Sequence, residues 1–347
     1  MRGKKVVKMG SLALLALLLI ALPLLGGCAP KEEAPPTPEE EKWVKVGISL
    51  ALSGPLATTH APDMRSFLSG CRMINDKGGI EYKDPKTGKI GHVKIDALWA
   101  DDKYSVDLAL SNYTRWVDAG AIAFFHGNTA TDIALREIAA RDKILVIHGG
   151  MTPATIYPKW PKTWSINPGT QYVDCFGCFV DWVMENWKEE RAPELGFLTW
   201  DVPFAKAPIT DAAIAYMEDK GMEYVGVQFY MPGDVDVTPQ FSILADAGAD
   251  WVFHNATVEG YATVCKGWAS QGLQDKMNLC SNMLLYDKTV VILAKEAAEG
   301  AYGVLWSALP EETNLPGVKL MMEQTLKNYP DDEITACNMI GENYFYV

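Results

Sequence analysis

The chain has 347 residues, with 44 acidic against 31 basic side chains and a formal charge of −13. That balance argues against a polyanionic partner such as nucleic acid and is silent about a small ligand. The length predicts two domains.

Residues 1–27 stand apart from the fold. Arg2, Lys4, Lys5 and Lys8 form a positive n-region, Leu12 to Leu25 an apolar h-region, and Gly26-Gly27 lead to Cys28. This is the pattern of a secretory signal peptide, and it resembles a bacterial lipoprotein signal. In such signals the cysteine is lipidated and becomes the mature N-terminus, so Cys28 is the expected lipidation site. A single spanning helix is the plain alternative; the Gly-Gly-Cys ending and the segment that follows argue against it. That segment, 28–42, is rich in Pro and Glu, cannot build a core and reads as an extended, solvated linker. Removal of 1–27 takes four positive charges and brings the formal charge to −17. The protein is expected to be exported, in the periplasm or on the outer face of the membrane. A lipid anchor would be its one membrane attachment.

Besides Cys28 there are six cysteines: Cys71, Cys175, Cys178, Cys265, Cys280 and Cys337. In an exported chain they permit disulfides without fixing a pairing. Cys175-Phe-Gly-Cys178 has redox or metal spacing but lies within an apolar helical pattern, Tyr172 to Trp187, with no strand directly before it. Helix packing or a local disulfide is preferred to catalysis.

From Trp43 onward strands and helices alternate. Strands are predicted at 44–50 and 93–100, with a helix at 62–76 and a hairpin-like insert around Asp84–Gly88 between them. A helix at 106–117, a strand at 121–126, a helix beginning at Thr131 or Asp132 and a strand at 144–148 complete a first array. A Pro- and Trp-rich loop at 151–163 closes it. A second array follows: helix 171–187, strand 195–200, helix 209–220, strand 223–229, helix to 247, strand 251–254, helix 258–271 and a strand at 277–280. Such alternation means parallel sheets covered by helices on both faces.

Ligands of open α/β sheets bind at the carboxyl edge of the strands. His60, Trp99, His126, His148, Trp200, Phe204 and His254 all fall at or just after strand ends. Four of the five histidines are among them. The stretch Ala121 to Ile138 is the centre of this edge: a buried strand, the turn Gly127-Asn128-Thr129, then a helix whose first N–H groups suit an anion. An ordinary βα turn and chance clustering are the plain alternatives. Metal binding is disfavoured, because the histidines come from separate loops with no carboxylate or thiolate at ligand spacing. Hydrogen bonding to a polar ligand beside aromatic walls fits better. The chain lacks G-x-S-x-G, a GxxxxGK[ST] loop, GxGxxG after a strand and HExxH. No catalytic residue, metal or cofactor is therefore assigned.

Leu52-Ser53-Gly54-Pro55, followed by a helix closing on Ile74-Asn75-Asp76-Lys77-Gly78-Gly79-Ile80, resembles the leucine/isoleucine/valine-binding protein family. These are extracytoplasmic solute-binding components of ABC transporters. The resemblance implies an α/β fold of the type I periplasmic binding protein kind, two doubly wound parallel-sheet lobes joined by a hinge. Lobe 1 would comprise 43–165 and 301–347, lobe 2 166–300, with crossings near 164–171 and 300–306. It implies a small-molecule ligand between the lobes and ABC permease subunits as partners. By motif position the ligand anchor falls on Thr129, Ala130 and Thr131, a second loop on Gly150-Met151-Thr152, and the closing aromatic on Phe204. His254 and Asn255 match a cleft-facing strand end. Ser53, Trp99, His126 and Asn282 complete the expected ligand-binding set.

Two departures matter. Where amino-acid binders of the family carry an acid for the α-ammonium, this chain has Ser281-Asn282-Met283, and an unpaired buried ammonium is costly. Asp201 or Glu259 are the candidate replacements; otherwise an acid without an α-amine fits best. The sequence also stops inside a helical pattern, short of the family's usual last crossover. The expected function is binding of a carboxylic or aromatic acid, amide or amino acid for transport. A ligand-sensing receptor subunit or, less favoured, an exported thiol enzyme are the alternatives.

Overall fold

The computed structural model describes residues 41–157 and 162–343; Cys28, the signal and nearly all of the linker lie outside them. The first array comprises β1 (Lys42–Leu50), α1 (Ala57–Asp76), β2 (Ile80–Lys83), β3 (Ile90–Asp101), α2 (Val106–Asp118), β4 (Ala121–His126), α3 (Thr129–Asp142) and β5 (Leu145–His148). The short helix α4 (Pro153–Ile156) and the strand β6 (Ser165–Ile166) follow. These strands form one sheet in the order β2-β3-β1-β4-β5-β6, parallel except for the β2–β3 hairpin.

The second array comprises α5 (Tyr172–Asn186), β7 (Glu194–Trp200), α6 (Pro203–Lys206), α7 (Asp211–Asp219) and β8 (Glu223–Tyr230). It continues through α8 (Thr238–Asp246), β9 (Trp251–His254), α9 (Val258–Ser270), β10 (Asn278–Asn282), α10 (Lys288–Ala294) and β11 (Tyr302–Val304). Its sheet is wholly parallel, in the order β11-β10-β9-β7-β8. The chain is thus an α/β protein of two lobes, each built on one sheet.

Burial on both faces explains the apolar runs of the central strands. On β4, Phe124 meets Tyr113 and Trp116 of α2 on one face, while Phe125 stacks on Phe67 of α1 on the other, at 5.0 Å. In the second lobe Phe197 and Phe253 pack against Phe176 of α5.

Ser165–Ile166 pairs with β5 and Tyr302–Val304 with β10, so the two expected crossing segments lie in different sheets. After β11 the chain returns to the first lobe. The helices α11 (Pro316–Asn328) and α12 (Ala336–Asn343) pack on α1. Arg65 Nε bonds Asp332 at 2.7 Å, Lys327 meets Asp76 at 2.7 Å, and Asn338 Nδ2 donates to Ser66 Oγ at 3.1 Å.

One boundary differs in a way that matters. The first helix starts at Ala57, a full turn before Pro62. Proline suits a first turn, but burial of Leu56, Thr59 and His60 against the core extends the helix past it. His60 therefore sits on a helix, not in a loop. Among the described residues no helix is long and apolar enough to cross a membrane.

Candidate functional site

A cavity lies where the carboxyl edges of the two sheets meet. Leu50 ends β1, Phe125 and Gly127 flank the end of β4, and Gly149 follows β5. From the second lobe come Phe204 after β7, Thr257 after β9 and Asn282 at the end of β10. Tyr172, from the first turn of α5, and Trp306, beyond β11, close the wall. Tyr172 makes an edge contact with Phe204 at 5.4 Å and a tilted one with Trp306 at 6.2 Å. The remaining volume is about 50 Å³, room for only a few waters, so the walls are drawn together.

One side of the cavity is the first two turns of α1. Thr59, His60 and Asp63 line it, next to Leu56. His60 Nδ1 accepts the Ala51 N–H at 3.2 Å. Burial, outweighing the pull of Asp102, pushes this histidine down to about 4, so the ring is neutral. Burial and then the charge of Asp287 push the Asp63 carboxyl well above the usual range, and Arg65 offsets little of it. Among the described residues no lysine or arginine lines the cavity.

Behind the first-lobe wall lies a buried polar chain. Asp102 accepts from Ser49 Oγ at 2.8 Å and stands 3.2 Å from His126 Nε2. Asp132 lies 3.4 Å from His126 Nδ1 and 2.8 Å from His148 Nδ1, and accepts the Gly150 N–H at 2.9 Å. Burial opposes charge on His126, but the two carboxylates push it up to about 9. The Asn128 N–H directed at Nδ1, at 3.0 Å, requires that nitrogen bare. In that arrangement the ring's donor is Nε2, which faces Asp102. Despite burial, hydrogen bonding holds the Asp102 carboxyl below the ordinary range, and the charge interaction with His148 leads in doing so for Asp132.

This chain decides where the expected residues stand. Met151, Phe204 and Asn282 line the cavity. Thr129, Ala130 and Thr131 do not. Asn128 is the N-cap, one turn before the expected position, and its side chain takes the Ala130 N–H at 2.9 Å. The protein's own Asp132 carboxylate sits in the first turn, where an anionic ligand was expected. Gly150 and Thr152 stand beside this turn, and Gly150 packs on Thr129 so closely that a Cβ would meet its Cα at 2.9 Å. Ser53 is held by Asp101, its Oγ 2.6 Å from Oδ2. His126 and His254 are fully buried, the latter on Tyr230 Oη at 2.8 Å. Trp99 is 55% exposed and is not among the residues that line this cavity. The strand before Asn282 runs to that residue rather than ending near Leu279. Asn282 Nδ2 donates to Asn255 and its Oδ1 takes the Leu284 N–H, so the side chain is engaged within the protein.

Neither candidate replacement acid enters the cavity. Asp201 is exposed and pairs with Lys206 at 2.6 Å, and Glu259 accepts from Thr257 Oγ1 at 3.1 Å. Cys175 is buried, with its thiol pushed up to about 12, while Cys178 is exposed; both are free. Burial thus makes Cys175 a poor nucleophile at neutral pH. The sequence reading missed Thr59, Asp63, Tyr104, Tyr172, Thr257 and Trp306. Only the i, i+4 spacing of Thr59 and Asp63 after the first strand carried a local signal, since it places both on one helical face.

Residues 43–344 match the family described as periplasmic binding protein. Three solved structures share the fold. A branched-chain amino acid ABC transporter protein from Thermus thermophilus, solved with bound valine, superposes with a TM-score of 0.77 at 20% identity, over 88% of this chain and 76% of its own. A fatty acid ABC transporter substrate-binding protein from Thermomonospora curvata gives 0.75 at 21%, over 88% and 74%. A leucine-binding protein from Thermotoga maritima gives 0.69 at 14%, over 87% and 81%.

Proposed function

The chain belongs to the periplasmic binding protein family, and we propose that it is the solute-binding lipoprotein of an ABC transporter of the branched-chain-amino-acid type. The family is one of extracytoplasmic, non-enzymatic binders of small solutes. The observation that carries the reading for this chain is the cavity. Six strand ends from two sheets converge on one enclosed space walled by Phe125, Tyr172, Phe204 and Trp306. That composition suits a small organic solute with an apolar or aromatic part. The solute would be held between the two lobes and handed unchanged to permease subunits. Lipid on Cys28 and the acidic, proline-rich linker would tether the domain outside the membrane. Met151, Phe204 and Asn282 are the expected residues best placed to touch solute.

Calorimetry of the purified protein against amino acids, aromatic and aliphatic carboxylic acids and their amides tests the reading. A stable one-to-one complex from which the solute is recovered unchanged supports it. Turnover of a panel member with no stable complex overturns it.

A further inference from the structure

The α1 side of the cavity has a chemistry that the rest of its wall lacks. Thr59 and Asp63 are four residues apart on one helical face, line the same cavity and are only 4% and 3% exposed. Thr59 Oγ1 and Asp63 Oδ1 have no hydrogen-bond partner among the described residues. Leaving such groups buried and unmatched is costly. The neighbours offer nothing better: His60, between them, already accepts the Ala51 N–H. The nearby Arg65 guanidinium is taken by Asp332. Asp287 adds a second carboxylate, held by the N–H groups of Thr289 at 2.9 Å and Cys337 at 3.2 Å.

We propose that Thr59 and Asp63 are a cation-recognition subsite, and that the solute bound in this cavity carries a protonated amine. The proposal rests on the cavity being the solute site. An ammonium has three N–H donors and no acceptor, and it supplies what both orphaned oxygens lack. Asp63 would then do from the first lobe what Asn282, on the second, cannot. In the solute-free protein burial disfavours the charged form of the Asp63 carboxyl and so favours a bound proton. When an ammonium binds, that proton leaves to solvent and the carboxylate pairs with the cation. Binding of an amine therefore shifts the Asp63 carboxyl toward its charged form and releases protons, whereas binding of the matching deaminated acid through other groups does not.

The test uses the full chain and matched series: leucine, valine and phenylalanine, their decarboxylated amines and their deaminated acids. Isothermal calorimetry is run in buffers of differing ionisation enthalpy. The expected result is binding within the amine-bearing series, proton release on binding, and a ten- to hundredfold loss of that affinity in Asp63→Asn, with the proton release abolished. Thr59→Val loses less. Binding of the deaminated acids alone, indifferent to Asp63→Asn, overturns this inference and leaves the solute-binding reading intact. If no member of any series binds, both fall. Melting of the solute-free protein separates a structural role. A residue kept for ligand leaves the Asp63→Asn midpoint unchanged or higher, and a fall of more than about 5 °C overturns the assignment.

Discussion

At the scale of single residues, Asp132 has the largest expected effect. Its buried carboxylate lies 2.8 Å from His148 Nδ1 and accepts the Gly150 N–H at 2.9 Å. Asp132→Asn is expected to cost about 1–3 kcal/mol, the range for leaving buried hydrogen-bonding groups unmatched, read as a lower urea midpoint. A loss under about 1 kcal/mol would show that the chain of contacts does not hold the wall. Two histidines predict the acid behaviour. Burial pushes His60 down to about 4 and His254 to about 3, from an ordinary 6.5. The folded state refuses protons that the unfolded chain accepts. This stability is therefore fully present above pH 6.5 and is lost as pH falls toward the folded values. Each ring is expected to contribute about 3 kcal/mol of loss between pH 6.5 and 4. His254→Gln, which cannot titrate, should show a shallower loss over that interval in chemical denaturation. An unchanged slope would count against a buried neutral His254.

At the scale of elements, the junction of α3 with the loop after β5 is the tightest part of the wall. A Cβ on Gly150 would lie 2.6 Å from Asp132 Oδ2, 2.7 Å from Thr129 Oγ1 and 2.9 Å from Thr129 Cα. The backbone atom cannot swing aside, so Gly150→Ala is expected to destabilise by about 1–3 kcal/mol and to weaken solute binding by shifting Met151. Gly317, in the first turn of α11, meets nothing within 4 Å. Gly317→Ala should instead stabilise by up to about 1 kcal/mol through helix propensity. Thermal melts of the two variants, read side by side, check both signs. The helices α11 and α12 belong to the same logic, since they follow the second sheet in sequence yet fasten to α1 of the first lobe.

For the whole molecule, the small cavity implies motion. With about 50 Å³ between the walls, the lobes must part before an organic solute can enter. Small-angle scattering of the solute-free protein is expected to give a larger radius of gyration than this structure, falling toward it as solute is added. Tyr172 makes aromatic contacts with Phe204 and Trp306 in the cavity wall. Trp306→Ala should weaken binding about tenfold, with little effect on melting of the solute-free protein. Equal affinity in the variant would place Trp306 outside the site.

The alternation of strands and helices was legible because hydrophobic period and turn residues are local properties. It pointed to the carboxyl edges and to Phe204, while Met151 and Asn282 came from the family resemblance; all three line the cavity. What remained hidden was which buried groups face the cavity and which face one another. His126, His148 and Thr131 look like site residues in sequence, yet they lie behind the wall. Asp132 reaches two of these histidines, and Asn128 caps the helix before a ligand can. Trp99 ends a strand as expected but remains exposed. The Thr59–Asp63 face meets Tyr172 and Trp306 only in the tertiary structure, over separations of up to 247 residues. A strand's pattern records that a side chain is buried; its hydrogen-bond partners are set by packing between elements remote in sequence, and only the tertiary structure supplies them.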